Sequence, residues 1–131
     1  MKNLLVASTS TIYGGNFLQY LLPQLKEHFK AIDTLLFIPY ARPGGITYES
    51  YTSNVAEALK DFSFSVKGIH EFEDPQKAVE NAEAIFVGGG NTFVLLDELH
   101  QHRLIEPLRK VIEKGTPYLG TSAGSNIVGL N

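Results

Sequence analysis

Short apolar runs alternate along the chain with longer segments in which apolar residues recur at helical spacing. Several runs are apolar at consecutive positions, including Leu35–Ile38 and Ala84–Val87, and this pattern is typical of strands buried on both faces. The predicted strands are Leu4–Ser8, Thr34–Pro39, Phe64–Ile69, Ala84–Val87 and Pro117–Gly120. The alternation of strands and helices predicts an α/β fold with a parallel sheet.

Apolar stripes at helical spacing lie between these strands. One stripe comprises Phe17, Leu21, Leu22, Leu25 and Phe29, and another comprises Tyr48, Tyr51, Val55, Leu59 and Phe62. Asp74-Pro75 indicates a further helix start, because Asp accepts hydrogen bonds from the first turn and Pro fits its first position. Leu104–Glu113 is a fourth predicted helix, which Gly115 ends.

The connections between the strands suggest a sheet order. Because crossovers between parallel strands are almost always right-handed, the simplest order, counted along the chain, is 3-2-1-4-5. In a doubly wound sheet of this order, ligands bind at the carboxyl ends of strands 1 and 4. The loops after strands 1, 4 and 5 are then expected to meet.

Composition narrows the functional classes. The chain has 131 residues, of which 44% are hydrophobic and 19% charged, as expected for one soluble globular domain. Its net charge of -3 provides no basic surface, so nucleic-acid binding is not expected. The absence of cysteine excludes a disulfide, a Cys-ligated metal and a thiol nucleophile.

The N-terminus shows no targeting signal. Lys2 precedes only the short apolar segment Leu4–Ala7, and polar residues 8–11 follow at once, unlike a signal peptide. No apolar stretch approaches the roughly 20 residues that cross a bilayer. We therefore expect a cytoplasmic chain that does not insert into membranes.

The segment Gly120–Gly124 reads Gly-Thr-Ser-Ala-Gly and follows directly on the apolar run Pro117–Leu119. It matches G-x-S-x-G, in which the outer glycines allow a sharp strand-to-helix turn that exposes the serine hydroxyl. The helix N-terminus at this turn favours developing negative charge. Ser122 is therefore a candidate nucleophile and the Ala123 N–H a candidate oxyanion donor, although a polar turn without chemistry has the same pattern.

A second unusual loop, Gly88–Phe93, follows the predicted strand Ala84–Val87 and reads Gly-Gly-Gly-Asn-Thr-Phe. Three glycines let the backbone approach a ligand and point amide groups into a crevice, while Asn91 or Thr92 can cap the next helix. Neither a phosphate loop nor a dinucleotide fingerprint is present. We interpret the Gly90 N–H as an oxyanion donor; a tight glycine turn is the alternative.

Together, the two loops resemble those of the dipeptidase E (aspartyl dipeptidase) family, peptidase family S51, whose members carry Gly-Gly-Gly-Asn-Thr and Gly-x-Ser-Ala-Gly. The likeness spans essentially the whole chain and includes residues 4–10, Phe37–Tyr40, Gly68–His70 and Asn81–Glu83. The related cyanophycinases share Gly-Thr-Ser-Ala-Gly but usually carry Gly-Gly-x-Gln in the glycine loop. Glutamine amidotransferase domains have cysteine in place of the serine in this strand-to-helix turn.

The resemblance implies a three-layer, doubly wound, mainly parallel sheet with helices on both faces, of the class I glutamine amidotransferase-like or flavodoxin-like type. It also implies hydrolysis of small peptides with an N-terminal aspartate through an acyl-enzyme on Ser122, with the oxyanion held by Gly90 and Ala123. No metal or organic cofactor is expected.

Three further residues are candidates for substrate binding, namely Asn91, Thr92 and Arg42. Asn91 and Thr92 follow the three glycines directly. Arg42, in the loop after the second strand, can pair with a substrate carboxylate through two hydrogen bonds. The alternative for Arg42 is a solvated loop side chain.

In the family that the chain resembles, the histidine base and its acidic partner follow the serine, in segments that this sequence does not contain. We therefore expect residues 1–131 to be a single α/β domain that lacks its C-terminal part and is nearly inactive alone. Such a chain is expected to self-associate or to pair with the missing segment.

Two residue groups upstream of the serine need a separate interpretation. His70, after the third strand, is a candidate replacement base, and the alternative is a strand-end histidine that packs its ring. Glu71, Glu73 and Asp74 are interpreted as a solvated loop, because calcium and magnesium loops have a more regular oxygen spacing.

Two other functions stay open. A non-catalytic module would bind a peptide or a small acidic metabolite at the glycine loop without turning it over, and the missing base and acid favour this hypothesis. An amidotransferase-like subunit would receive catalytic groups from a partner. The absence of cysteine argues against the second hypothesis.

Overall fold

The computed structural model of the chain describes residues 27–121 and the strand at 4–7, with residues 4–7, 43 and 121 as backbone only. Within these residues, five parallel strands form one sheet in the order β1-β5-β4-β2-β3. The strands are β1 (Leu4–Ala7), β2 (Thr34–Ile38), β3 (Ser65–Gly68), β4 (Ile85–Val87) and β5 (Tyr118–Thr121). The predicted α/β fold with a parallel sheet is confirmed, and each predicted strand matches an observed one to within one residue at either end.

Four helices connect strands in the described part of the chain. They are α1 (Tyr48–Ala58), α2 (Pro75–Glu80), α3 (Thr92–Gln101) and α4 (Ile105–Glu113), and Pro43–Gly45 and Ile69–Glu71 form short 3-10 turns. The helix predicted from the stripe at residues 17–29 lies outside the described residues, except for its end. Phe29 from that stripe is buried against the sheet.

The observed strand order differs from the predicted order 3-2-1-4-5. β5 pairs with both β1 and β4, and β4 pairs with β2. The prediction that strands 1 and 4 are neighbours at the ligand crevice is therefore wrong, because β5 lies between them. The crossovers from β1 to β2 and from β3 to β4 each pass over intervening strands, and a right-handed crossover is compatible with either arrangement.

β3 lies at one edge of the described sheet, as predicted. Its residues Ser65 and Lys67 are exposed, whereas all three residues of β4 are buried. An edge strand tolerates polar side chains, while a central strand covered by helices on both faces requires apolar ones.

Apolar side chains from the sheet alternate between two clusters, one on each face. Leu36, Ile38 and Ile85 pack with residues of α2, α3 and α4. Leu35 and Phe37 pack on the other face with residues of α1. Burying each such side chain contributes about 1.5–3 kcal/mol to the stability of the fold. Since helices cover both faces of the sheet, the expected three-layer arrangement is confirmed.

Local signals set the helix ends. The Asp74 side chain accepts a hydrogen bond from the Lys77 N–H (3.2 Å) and Pro75 is the first residue of α2, as predicted. Gly115 follows α4 with φ of 102°, a conformation that favours glycine at a helix end.

Candidate active site

The glycine loop and the proposed nucleophile turn leave neighbouring strands at the same level. Val87, the last residue of β4, pairs with Gly120 in β5. Neighbouring strands lie about 4.8 Å apart, so Gly88 follows beside Thr121. The predicted adjacency of the two loops is confirmed at their bases, while Ser122 and Ala123 themselves lie outside the described residues.

The strand on the other side of β5 ends at the same level. Ala7, the last residue of β1, pairs with Thr121. The loops after β1, β4 and β5 therefore start at one end of the sheet, as predicted, although β5 rather than β4 is the central strand of the three. The loop residues 8–10 lie outside the described residues.

Three hydrogen bonds hold the glycine loop to β2, to the loop after β2 and to α1. They join the Gly88 N–H to Ile38 O (3.2 Å), the Asn91 N–H to Ala41 O (2.9 Å) and the Tyr51 hydroxyl to Gly89 O (2.9 Å). Gly88 and Gly89 are buried and Gly90 is partly exposed. The loop is therefore anchored at both ends and in the middle.

Two of the three glycines are required, Gly90 by its backbone conformation and Gly88 by the packing around it. Gly90 has φ of 146°, which side-chain-bearing residues rarely adopt. A Cβ on Gly88 would lie 2.8 Å from Cζ of Tyr51, too close for any real contact. Among residues 27–121, no hydrogen bond uses the Gly90 N–H, and its role as an oxyanion donor stays a prediction.

Asn91 caps α3, as the sequence predicted for Asn91 or Thr92. Its side-chain oxygen accepts a hydrogen bond from the Val94 N–H (3.1 Å), and Thr92 is the first helical residue. The side-chain NH₂ of Asn91 remains a further donor group, and the N-terminus of α3 favours negative charge near the glycine loop. A substrate-binding role for Asn91 and Thr92 stays a prediction.

Arg42 lies one residue from Ala41, whose carbonyl accepts from the Asn91 N–H next to the glycine loop. Its Nε donates to Ile46 O (2.9 Å) and its Nη2 to Gly45 O (3.1 Å), while Cζ lies 5.6 Å from the centre of the Tyr48 ring. The exposed guanidinium is thus held in place by its own loop. Its pairing with a substrate carboxylate stays a prediction.

The His70 ring packs against Tyr48, with ring centres 5.9 Å apart, and its Nδ1 is buried without a hydrogen-bond partner among the described residues. β3, which precedes His70, is three strands away from β5. Three strand spacings amount to about 14 Å. The geometry supports the ring-packing interpretation over the role of base.

Two further histidines, His28 and His102, also contact groups away from the loop bases. His28 Nε2 lies 2.9 Å from Tyr118 O, at the start of β5, and burial lowers the pKa of His28 while this hydrogen bond raises it. His102 stacks on Tyr40 with ring centres 5.3 Å apart. The rise along α3 separates the α-carbons of Asn91 and His102 by about 16 Å.

A polar cluster lies between Arg42 and His102. The Tyr48 hydroxyl donates to Glu98 Oε1 (3.1 Å), and His102 Nε2 lies 3.5 Å from the same carboxylate. Burial, followed by the hydrogen bond to Glu98, raises the pKa of Tyr48. Tyr48 is therefore kept protonated as a hydrogen-bond donor.

The acidic residues at 71–74 serve local structure. Glu71 accepts a hydrogen bond from the Gly68 N–H (2.8 Å), Asp74 caps α2, and Glu73 is exposed. Within residues 27–121 no three His, Cys, Asp or Glu side chains are grouped so that they could hold a metal ion. None of the described helices has the length and apolar character needed to span a bilayer.

A groove with a cavity volume of about 310 Å³ lies away from the glycine loop. Thr34, the first residue of β2, and Glu83, just before β4, line it together with Phe72 and Lys77. Ligands of open parallel sheets bind at the carboxyl ends of the strands, whereas this groove lies at the amino ends. We therefore assign the candidate site to the glycine loop.

Sequence reasoning missed the contact between Tyr51 and the glycine loop, since Tyr51 was interpreted only as part of an apolar stripe. Tyr51 is fully buried, yet its hydroxyl bonds to Gly89 O. The available signal was a tyrosine at a core position, because a buried hydroxyl requires a hydrogen-bond partner.

Comparison with known proteins identifies the family of the chain. The model of peptidase family S51 matches residues 4–131. A Drosophila melanogaster protein named probable alpha-aspartyl dipeptidase is 43% identical over 129 residues, covering 96% of this chain and 52% of that protein. Peptidase E of Shewanella denitrificans is 40% identical, covering 98% of this chain and 54% of the enzyme.

Solved structures show the same fold. A Listeria monocytogenes protein assigned to peptidase E matches with a TM-score of 0.70 at 27% identity, covering 95% of this chain and 60% of that one. A peptidase from an acI-B1 Actinobacterium matches with a TM-score of 0.69 at 18% identity, which shows the fold alone. The chain spans about half the length of the curated relatives it matches. By its match over residues 4–131 and its identity to peptidase E, the chain belongs to peptidase family S51.

Proposed function

We propose that this chain is the nucleophile-bearing part of a serine-type dipeptidase that hydrolyses small peptides with an N-terminal aspartate. The observation that supports the proposal is the pairing of Val87 with Gly120, since Val87 directly precedes the glycine loop and Gly120 lies two residues before Ser122 in the sequence. The names of the relatives supply the substrate class.

In the proposed reaction, Ser122 Oγ attacks the carbonyl carbon of the scissile peptide bond and its proton passes to a general base. The N–H groups of Gly90 and Ala123 hold the resulting oxyanion. Collapse of the intermediate breaks the C–N bond, the base returns its proton to the leaving amine, and water then hydrolyses the acyl-enzyme. One such oxyanion donor contributes about 10²–10³ in kcat.

We propose that the base and its acidic partner come from residues after 131. His70 is three strands from β5, and His28 and His102 contact Tyr118 O and Tyr40. His100 is exposed near the C-terminal end of α3. The chain covers about half of the curated relatives, so the remaining half of such a protein offers a place for both groups. In this proposal residues 1–131 are a single α/β domain that lacks its C-terminal part.

The proposed substrate contacts lie on the β2 side of the glycine loop. Two donors of the Arg42 guanidinium are held by the carbonyls of Gly45 and Ile46, and a guanidinium carries five donors in all. The others would pair with the side-chain carboxylate of the substrate aspartate. Asn91, through its NH₂ group, and Thr92, through its hydroxyl, would bind the peptide backbone.

A second candidate is a non-catalytic module that binds a peptide or a small acidic metabolite at the glycine loop. The observation that favours it is the placement of the four described histidines. His28, His70 and His102 pack elsewhere in the fold, and His100 is exposed near the C-terminal end of α3. Such a module would use the Gly90 N–H and the N-terminus of α3 for a carboxylate.

Hydrolysis of Asp-Leu by the intact gene product and labelling by a reactive phosphonate separate the two candidates. The peptidase hypothesis expects turnover and a label on Ser122, both lost in Ser122→Ala and retained in the matched control Ser125→Ala. Binding of Asp-Leu without turnover supports the module instead. A label on another serine, with none on Ser122, contradicts the assignment of the nucleophile.

A further inference from the structure

Tyr51 of α1 contacts the glycine loop at the peptide group that precedes the proposed oxyanion donor. Its hydroxyl donates to Gly89 O over 2.9 Å, and the side chain is fully buried. A hydroxyl in this place is shielded from water, which strengthens its hydrogen bond relative to a solvated one.

The Gly89 carbonyl and the Gly90 N–H belong to the same peptide group. A peptide group is planar and trans, so its C=O and its N–H point in opposite directions. The hydrogen bond that draws the Gly89 carbonyl toward Tyr51 therefore directs the Gly90 N–H away from α1.

This peptide group needs an external restraint. Its orientation is set by ψ of Gly89 and φ of Gly90, and glycine has more freedom at both angles than any other residue. A rotation of the group would turn the N–H away from an oxyanion and point the carbonyl at it. Among the described residues, Tyr51 makes the hydrogen bond that opposes this rotation.

The Tyr51 ring is itself held firmly. It packs edge-on against Phe37 with ring centres 4.9 Å apart, and Gly88 leaves no space between its α-carbon and the ring. Phe37 in turn packs against Phe86 of β4. The hydroxyl is thus fixed relative to the strand from which the glycine loop emerges.

We propose that Tyr51 is a positioning residue that holds the Gly89–Gly90 peptide group with its N–H toward the substrate oxyanion. The inference rests on the proposed function, since it assumes that the Gly90 N–H acts as the donor. Tyr51 acts through Gly90 and does not touch the substrate.

Tyr51→Phe in the intact gene product tests the proposal, because it removes the hydroxyl and keeps the ring. We expect kcat for Asp-Leu to fall by about 10- to 100-fold with KM changed less than about twofold, since an oxyanion donor acts in the transition state. Val55→Ala is the matched control: it loosens the same helix and the same apolar cluster but leaves the hydroxyl. Its kcat should stay within about twofold of wild type.

The ¹³C signal of the Gly89 carbonyl gives a readout that does not depend on turnover. We expect an upfield change in Tyr51→Phe and none in Val55→Ala. Three results would contradict the positioning role while leaving the proposed function intact. They are an unchanged carbonyl signal in Tyr51→Phe, a kcat of Tyr51→Phe within about twofold of wild type, and an equal fall of kcat in Val55→Ala. Absence of hydrolysis in the wild type contradicts the proposed function and the role of Tyr51 with it, whatever the carbonyl signal shows.

Discussion

The ring of Tyr51 lies directly against the α-carbon of Gly88. A Cβ at position 88 would be 2.8 Å from Cζ of Tyr51 and 2.9 Å from Cζ of Phe37. Both rings are buried and packed against each other, so neither moves without disturbing the core. The first glycine of the loop is thus fixed by packing.

We expect Gly88→Ala to lower the free energy of unfolding by about 1–3 kcal/mol, as overpacking of a core does. Combining it with Tyr51→Phe should cost less than the sum of the two single changes, because Phe lacks the hydroxyl nearest the new methyl group. Urea denaturation of the four proteins measures the coupling. Strict additivity would mean that the methyl group meets other atoms than the hydroxyl.

Asn91→Ala should lower the free energy of unfolding by about 1 kcal/mol, because it removes the acceptor for the Val94 N–H at the start of α3. Asn91→Asp keeps an acceptor and adds a favourable charge at the helix N-terminus, so its stability should match or exceed that of wild type. Thermal unfolding measures both. Equal losses in the two variants would show that the cap contributes little.

The free energy of unfolding should decrease as the pH is lowered, because His28 becomes protonated. Burial lowers the pKa of His28 below its ordinary value of 6.5, and the hydrogen bond to Tyr118 O opposes this only in part. Since the folded pKa lies below the unfolded one, protonation favours the unfolded chain. The stabilising contribution is present above pH 6.5 and is lost as the pH falls below it.

The corresponding measurement is the unfolding temperature between pH 8 and pH 5. His28→Gln should show a smaller decrease toward acid than wild type, because it removes the proton-binding difference. His100→Gln, which removes an exposed imidazole, is the control. Equal flattening of the profile in both variants would show that His28 is not the source.

His70→Phe should leave kcat of the intact gene product within about threefold of wild type, whereas loss of a general base costs about 10²–10⁴. The substitution keeps an aromatic ring against Tyr48 and removes both nitrogens. Steady-state kinetics with Asp-Leu give the answer. Loss of turnover, with the unfolding temperature unchanged, would make His70 the base.

The 131-residue chain should self-associate through apolar surface near the glycine loop. Phe93 at the start of α3 is 84% exposed, whereas Phe72 is 41% exposed, and apolar surface of this kind favours association. Phe93→Gln should reduce the apparent mass in light scattering more than Phe72→Gln. A strictly monomeric chain that binds no hydrophobic dye would instead indicate a domain complete in itself.

Strands and caps of this fold could be predicted because their signals are local. Consecutive apolar residues gave the position of β4, and the pairs Asp74-Pro75 and Asn91-Thr92 gave two helix starts. The strand order required information that no short segment carries. Any sufficiently long crossover reaches several positions in a sheet, and tertiary packing selects one of them.

The candidate site, like the fold, could be predicted only in part. The sequence predicted that the loops following β4 and β5 are neighbours, and the pairing of Val87 with Gly120 confirms this. It did not predict the hydrogen bond from Tyr51, because that contact joins residues from different elements. The roles of Ser122 and Ala123 stay predictions.

The pairing of β1 with β5 joins two strands that are far apart in the sequence, with Leu4 opposite Tyr118. During synthesis on the ribosome, β1 leaves the exit tunnel long before its partner strand is made. Closing so long a loop is entropically costly and slows folding. Until β5 is available, the unpaired apolar strand β1 is prone to aggregate. We therefore expect the β1 segment of the growing chain to be bound by chaperones that recognise extended apolar segments.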